Sequence, residues 1–104
     1  MAKSSKVKLF NRDVIPKTIR VMGVKIKIRI KNEIILDGSE CFGLFLPDVM
    51  EIHLLRDQPD IWNTLYHELL HSCLQISGNA EGLTYQKEEA LVIAITSGMF
   101  PFIR

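Results

Sequence analysis

Hydrophobic periodicity changes once along this chain of 104 residues, between Leu55 and Ile61, and that change separates a strand-forming half from a helical half. Upstream, Val24-Lys-Ile-Lys-Ile-Arg-Ile-Lys31 alternates apolar and basic residues without a break. Successive side chains of a strand point to opposite faces, so the alternation predicts a strand buried on one side. Residues 18–22 are expected to pair with it across Gly23. Asp37-Gly38 is a turn signal between residues 33–36 and a further strand at 41–46, and Pro47-Asp48 marks another turn. A short strand at 50–55 follows, with Met50, Ile52 and Leu54 on one side and Glu51, His53 and Leu55 on the other.

At Asp57-Gln-Pro-Asp60 the pattern becomes helical. Asp and Pro are helix-start residues, and Ile61, Leu65, Leu69 and Ile76 recur at helical spacing until Gly78 supplies a stop. A loop at 79–83 leads to a second helix from about 84 to 97, ending near Gly98 and Pro101. Its run Ala90-Leu-Val-Ile-Ala-Ile95 is apolar on most sides, which predicts packing against both the sheet and the first helix. A chain of this length buries one core without staples. The expected organisation is a frayed tail at 1–6 and a single α+β domain at 7–104, a small antiparallel sheet followed by two helices on one face.

Composition excludes several classes. With 47% hydrophobic and 24% charged residues the chain is not disordered. Cys41 and Cys73 are too few for a disulfide framework, and Cys73 sits in an apolar helical pattern where a thiol acts as a small hydrophobe. No apolar segment follows the basic start at 1–8 as a secretion signal would require, and the run at 91–95 is too short to span a bilayer. A cytoplasmic protein without a membrane partner is the expectation. Charge is lopsided: ten Lys/Arg against one acid up to Lys31 (+9), then three against eleven from Asn32 onward (−8), for the net +1. A basic half suits an anionic partner and an acidic half suits cations.

The chemistry lies in His67-Glu68-Leu69-Leu70-His71, an H-E-x-x-H string inside the first expected helix. A spacing of four puts both imidazoles on one face, a turn apart, within reach of one metal ion. Glu68 projects beside the metal and can take a proton from water activated there. Catalytic zinc normally takes three protein ligands. Downstream of His71 there is no Asp or His, and the carboxylates are Glu81, Glu88 and Glu89. Leu74 and Ser77 occupy the Gly and last His positions of the longer H-E-x-x-H-x-x-G-x-x-H signature, so that ligand set is excluded. The third ligand is then expected to be a glutamate on the second helix.

Thr64-Leu-Tyr-His-Glu-Leu-Leu-His71, a short loop and Glu89-Ala-Leu-Val-Ile-Ala94 resemble the minimal gluzincin-type metallopeptidases, which include the ImmA/IrrE-like group and the small SprT-like proteins of phages and mobile elements. The likeness covers roughly residues 20 to 100, and H-E-x-x-H is its specific part. It implies zinc on His67, His71 and Glu89, with Glu68 catalytic. SprT-like proteins often use a third histidine, absent here after His71, which favours the glutamate group. With Lys87-Glu88 read as a polar pair at the helix start, Glu88→Ala is expected to leave zinc binding nearly unchanged and Glu89→Ala to weaken it severely.

Other residues carry secondary expectations. Tyr85, four before Glu89 and on the same helical face, can donate a hydrogen bond to the oxyanion of a tetrahedral intermediate, or simply bury its ring with the hydroxyl wet. His53 is expected either along the cleft, where similar folds place such a strand and an extended substrate can add to it, or simply exposed on its strand. Trp62 reads as a packing anchor. Lys25, Lys27, Arg29 and Lys31 form a basic row that can meet nucleic acid phosphates weakly, although a solvated strand face is the commoner role of such a row. The expected function is zinc-dependent hydrolysis of a peptide bond in one particular protein substrate. The alternative is a non-catalytic, DNA-associated or regulatory protein that keeps its zinc for stability.

Overall fold

A computed structural model describes residues 14–103, with side chains up to Gly98. The tail expected at 1–6 lies outside the described residues. The chain runs β1 (Thr18–Val21), β2 (Val24–Lys31), β3 (Ile35–Leu36), β4 (Ser39–Glu40), β5 (Gly43–Leu46), β6 (Glu51–Leu55), α1 (Ile61–Ser77) and α2 (Tyr85–Ile103), an α+β order with the sheet before the helices.

The first hairpin follows the alternation. β1 and β2 pair antiparallel through Ile19↔Ile26 and Val21↔Val24, and the two-residue turn has positive φ at Met22 (51°) and Gly23 (82°), as a turn matching strand twist requires. Ile26 and Ile28 are buried while Lys25, Lys27 and Arg29 are exposed, so burial falls on alternate residues.

The sheet as a whole is mixed and not antiparallel. Its order is β1-β2-β6-β5, with β2 and β6 parallel in the register Ile28↔Ile52 and Ile30↔Leu54, and β5 antiparallel to β6. Residues 32–50 hold a separate hairpin, β3–β4, and the edge strand β5, and this long connection lets β6 return in the direction of β2. A period of two does not encode strand direction, which is why alternation left this open. The strand expected at 41–46 also starts later, at Gly43, because Ser39–Glu40 pairs with Ile35–Leu36 instead.

The helix α1 lies across the inner sheet face. Its Leu65 meets Ile26, Ile28, Ile52 and Leu54 in the core, and Trp62 packs at its margin as expected. Burying each such aliphatic side chain contributes about 1.5–3 kcal/mol. The Asp60 carboxylate accepts from the Asn63 amide at the N-terminus, and Gly78 takes the left-handed conformation (φ 84°) that ends the helix. Second in order, α2 packs on α1 and buries Val92 and Thr96, and among the described residues it has no extensive packing on the sheet, where contact with both layers was expected. Leu91 and Ile93 are exposed, and a groove between α2, α1 and β1 stays open beside Val21, Leu70 and Ile95. The backbone of α2 runs through Gly98 and Pro101, past the expected end. A proline removes its own N–H from the ladder and crowds the carbonyl four residues back, so one in the last turn disfavours the helix locally without enforcing a stop.

Candidate metal centre

Two titratable residues of α1 are buried, Glu68 and His71. Burying a charge is costly unless it is paired, so they mark where something other than packing shapes the chain. They belong to the turn that carries His67, and the rings of His67 and His71 stand 5.0 Å apart between centroids.

The start of α2 faces this turn. Glu89 brings its carboxylate to 3.3 Å from His67 Nε2 and 2.8 Å from His71 Nε2. One donor atom from each of His67, His71 and Glu89 lies within 4.8 Å of the others, a group that can hold a metal ion. Ligands of tetrahedral zinc at about 2.0–2.1 Å sit about 3.3 Å from one another, so two imidazole nitrogens and a carboxylate at these spacings fit such an ion in donor type and separation.

Glu88 is not the bystander that the Lys87-Glu88 pair suggests. Its Oε2 lies 2.6 Å from His71 Nδ1, while Glu89 meets Nε2 of the same ring. Adjacent helical side chains diverge by about 100°, and both reach His71 because its two nitrogens point to opposite sides of the ring. An Nδ1–H donated to Glu88 leaves Nε2 for a metal and fixes the ring, the usual arrangement behind a metal-bound histidine. Burial disfavours the imidazolium, but the hydrogen bonds to Glu88 and Glu89 and the field of Glu68 outweigh it and hold His71 above its ordinary pKa. The apolar positions three, four and seven residues beyond Glu88 were a sequence signal that it too is turned inward.

Glu68 lies on the same turn as His71 and is shielded from solvent. Burial pushes its carboxyl up to about 7, with Glu89 adding to the rise, while His71 and the Phe45 backbone oppose it. A carboxyl titrating near neutrality can take and return a proton. Tyr85 opens α2 on the cleft wall, 69% exposed. What burial it has, with the fields of Glu89 and Glu68, raises its phenol above the ordinary value and keeps it a donor.

The cleft measures about 560 Å³ and is walled by β5 on one side and by α1 with the start of α2 on the other. Leu36, Cys41 and Phe42 line it from the hairpin side, contributions that no local pattern in the sequence signalled. His53 is elsewhere. It faces out from the opposite side of the sheet with its Nε2 2.9 Å from Glu51 Oε1, and β6 is paired on both edges, so the strand beside the cleft is β5. In the basic row, Arg29 is held by Glu51 at 3.0 Å, Lys25 and Lys27 are exposed, and Lys31 is half-buried. Among the described residues no helix is long and apolar enough to cross a membrane.

No family model, no curated protein and no solved structure matches this chain.

Proposed function

We propose that the chain is a zinc-dependent metallopeptidase that hydrolyses a peptide bond in a specific protein substrate. The observation that carries this is the convergence of His67, His71 and Glu89 beside the buried carboxyl of Glu68, at the floor of an open cleft. Structural zinc is closed by four protein ligands, whereas three leave a position for water, so this donor set favours the catalytic reading over a structural site. When bound, the ion supplies Lewis-acid polarisation of the scissile carbonyl and a lowered pKa for water. Glu68 removes the proton from the attacking water and later delivers it to the leaving amine. Glu88 holds the His71 ring through Nδ1, and Tyr85 offers a phenolic O–H toward the oxyanion that develops on the carbonyl. An open cleft on a domain this small suits recognition of one partner rather than general digestion. Two free thiols, Cys41 and Cys73, fit a reducing cytoplasm.

Glu68→Gln tests the assignment. The variant is expected to bind zinc stoichiometrically and to lose at least a hundredfold in peptide hydrolysis, since general acid–base catalysis contributes about 10²–10⁴-fold. Metal analysis together with a hydrolysis assay reads both. Loss of zinc from the variant would make Glu68 a ligand, and undiminished hydrolysis would remove it from the reaction.

A further inference from the structure

We propose that Gly43 positions the base, because the space where its side chain would stand is what lets the edge strand close on α1 beside Thr64 and Glu68. The inference rests on the peptidase reading for its catalytic consequence, and on geometry alone for its structural one. A Cβ built on Gly43 would stand 2.4 Å from Thr64 Cγ2 and 3.3 Å from Glu68 Cγ, with the His53 carbonyl 3.4 Å away on the other side. The first distance is far inside van der Waals contact. The neighbour cannot yield easily. Thr64 is β-branched and lies within a helix, which restricts χ1, and its hydroxyl is engaged with Gln58 Oε1.

Gln58 ties the same three elements together from behind. Its Nε2 donates to the Phe42 carbonyl at 3.0 Å and to the Leu55 carbonyl at 2.7 Å, while the Leu55 amide donates to the Phe42 carbonyl at 2.8 Å. The start of β5, the end of β6 and the first turns of α1 are therefore clamped at one spacing. The same closeness sets the strand backbone against the base, whose Cγ lies 3.3 Å from where a Cβ at position 43 would stand. That backbone walls the Glu68 side chain on one side, and it does so only while β5 stays at this distance. A methyl group at position 43 forces β5 and α1 apart at the point where the strand meets the base. Gly43 touches neither metal ligand nor substrate by this account, so it is a positioning residue.

The test is a double-mutant cycle of Gly43→Ala and Thr64→Ser. Serine keeps the hydroxyl that meets Gln58 and removes the methyl that the new Cβ strikes. In the metal-free protein, Gly43→Ala is expected to speed hydrogen exchange at the Leu55 amide, which donates to the Phe42 carbonyl, by at least tenfold, and Gly43→Ala/Thr64→Ser to recover most of that protection. With zinc bound, Gly43→Ala is expected to lose about 10–100-fold in kcat at little change in KM and unchanged zinc occupancy, as misplacement of a catalytic group does, and the double variant to regain it. A merely structural glycine would lower the melting temperature without moving kcat per folded molecule. Should Gly43→Ala fail to fold, folding of the double variant carries the same support. Unchanged Leu55 exchange in Gly43→Ala, absence of recovery in the double variant, or failure of both to fold overturns the proposal. If the wild-type protein cleaves no peptide, the peptidase reading fails, and the exchange cycle alone still decides for or against Gly43.

Discussion

His71 is the residue on which the site turns, because three carboxylates act on it from different directions. Glu88 and Glu89 bond its two nitrogens, and Glu68 adds a field from its own helix. The two glutamates of α2 hold separable roles: Glu89 supplies a donor atom to the group that can bind a metal, and Glu88 orients the ring that supplies another. Loss of an orienting carboxylate typically costs about 10–100-fold in metal affinity. Glu88→Ala is therefore expected to weaken zinc binding by about that factor, and Glu89→Ala to weaken it considerably more. Competitive zinc titration of the two variants checks the order, and the reverse order moves the ligand to Glu88.

At the scale of elements, the parallel pairing of β2 with β6 builds a polar cluster on the outer face of the sheet. Glu51 accepts from His53 two residues along and from Arg29 on the neighbouring strand, and these two partners lower its carboxyl from 4.5 to about 2. A carboxyl with a depressed folded pKa adds stability that is present above its unfolded value and is lost as pH falls through the folded one. The wild-type melting temperature should thus fall between pH 4.5 and about pH 2 more steeply than that of Glu51→Gln. The pair is near solvent, so the difference in slope is small. Thermal melts of the metal-free proteins measure it, and equal slopes would mean that the cluster does not act on stability. The same cluster neutralises Arg29, itself exposed, in the basic row that also carries the exposed Lys25 and Lys27.

The candidate metal group belongs to the whole molecule, because its donor atoms come from two helices that only the fold brings together. An ion that binds this arrangement and not the unfolded chain stabilises it by mass action, by about 4 kcal/mol at a thousandfold excess over Kd. For a domain of this size that corresponds to a rise in melting temperature of roughly 15–30 °C. Calorimetry with and without zinc should show the rise, a chelator should reverse it, and His71→Ala should abolish most of it. Identical melting with and without zinc would deny the site its metal.

Local sequence was enough to determine the helix that carries the site. Asp60, the helical recurrence of Ile61, Leu65 and Leu69, and Gly78 act over one or two turns, so α1 and the common face of His67 and His71 follow from neighbours along the chain. The β1–β2 hairpin is legible for the same reason, since two residues with positive φ close it. Tertiary structure decided what depends on residues distant in sequence. Alternation says which face of a strand is buried and nothing about its direction, so the parallel β2–β6 pair and the placing of His53 away from the cleft emerged only when residues 32–50 had been folded between them. Periodicity left Glu88 and Glu89 equally inward; the position of α2 against α1 made one a donor to the metal group and the other a brace for His71. Gly43 carries no local signal at all. Its requirement arises from a strand and a helix approaching so closely that no atom fits between them, and such an approach exists only in three dimensions.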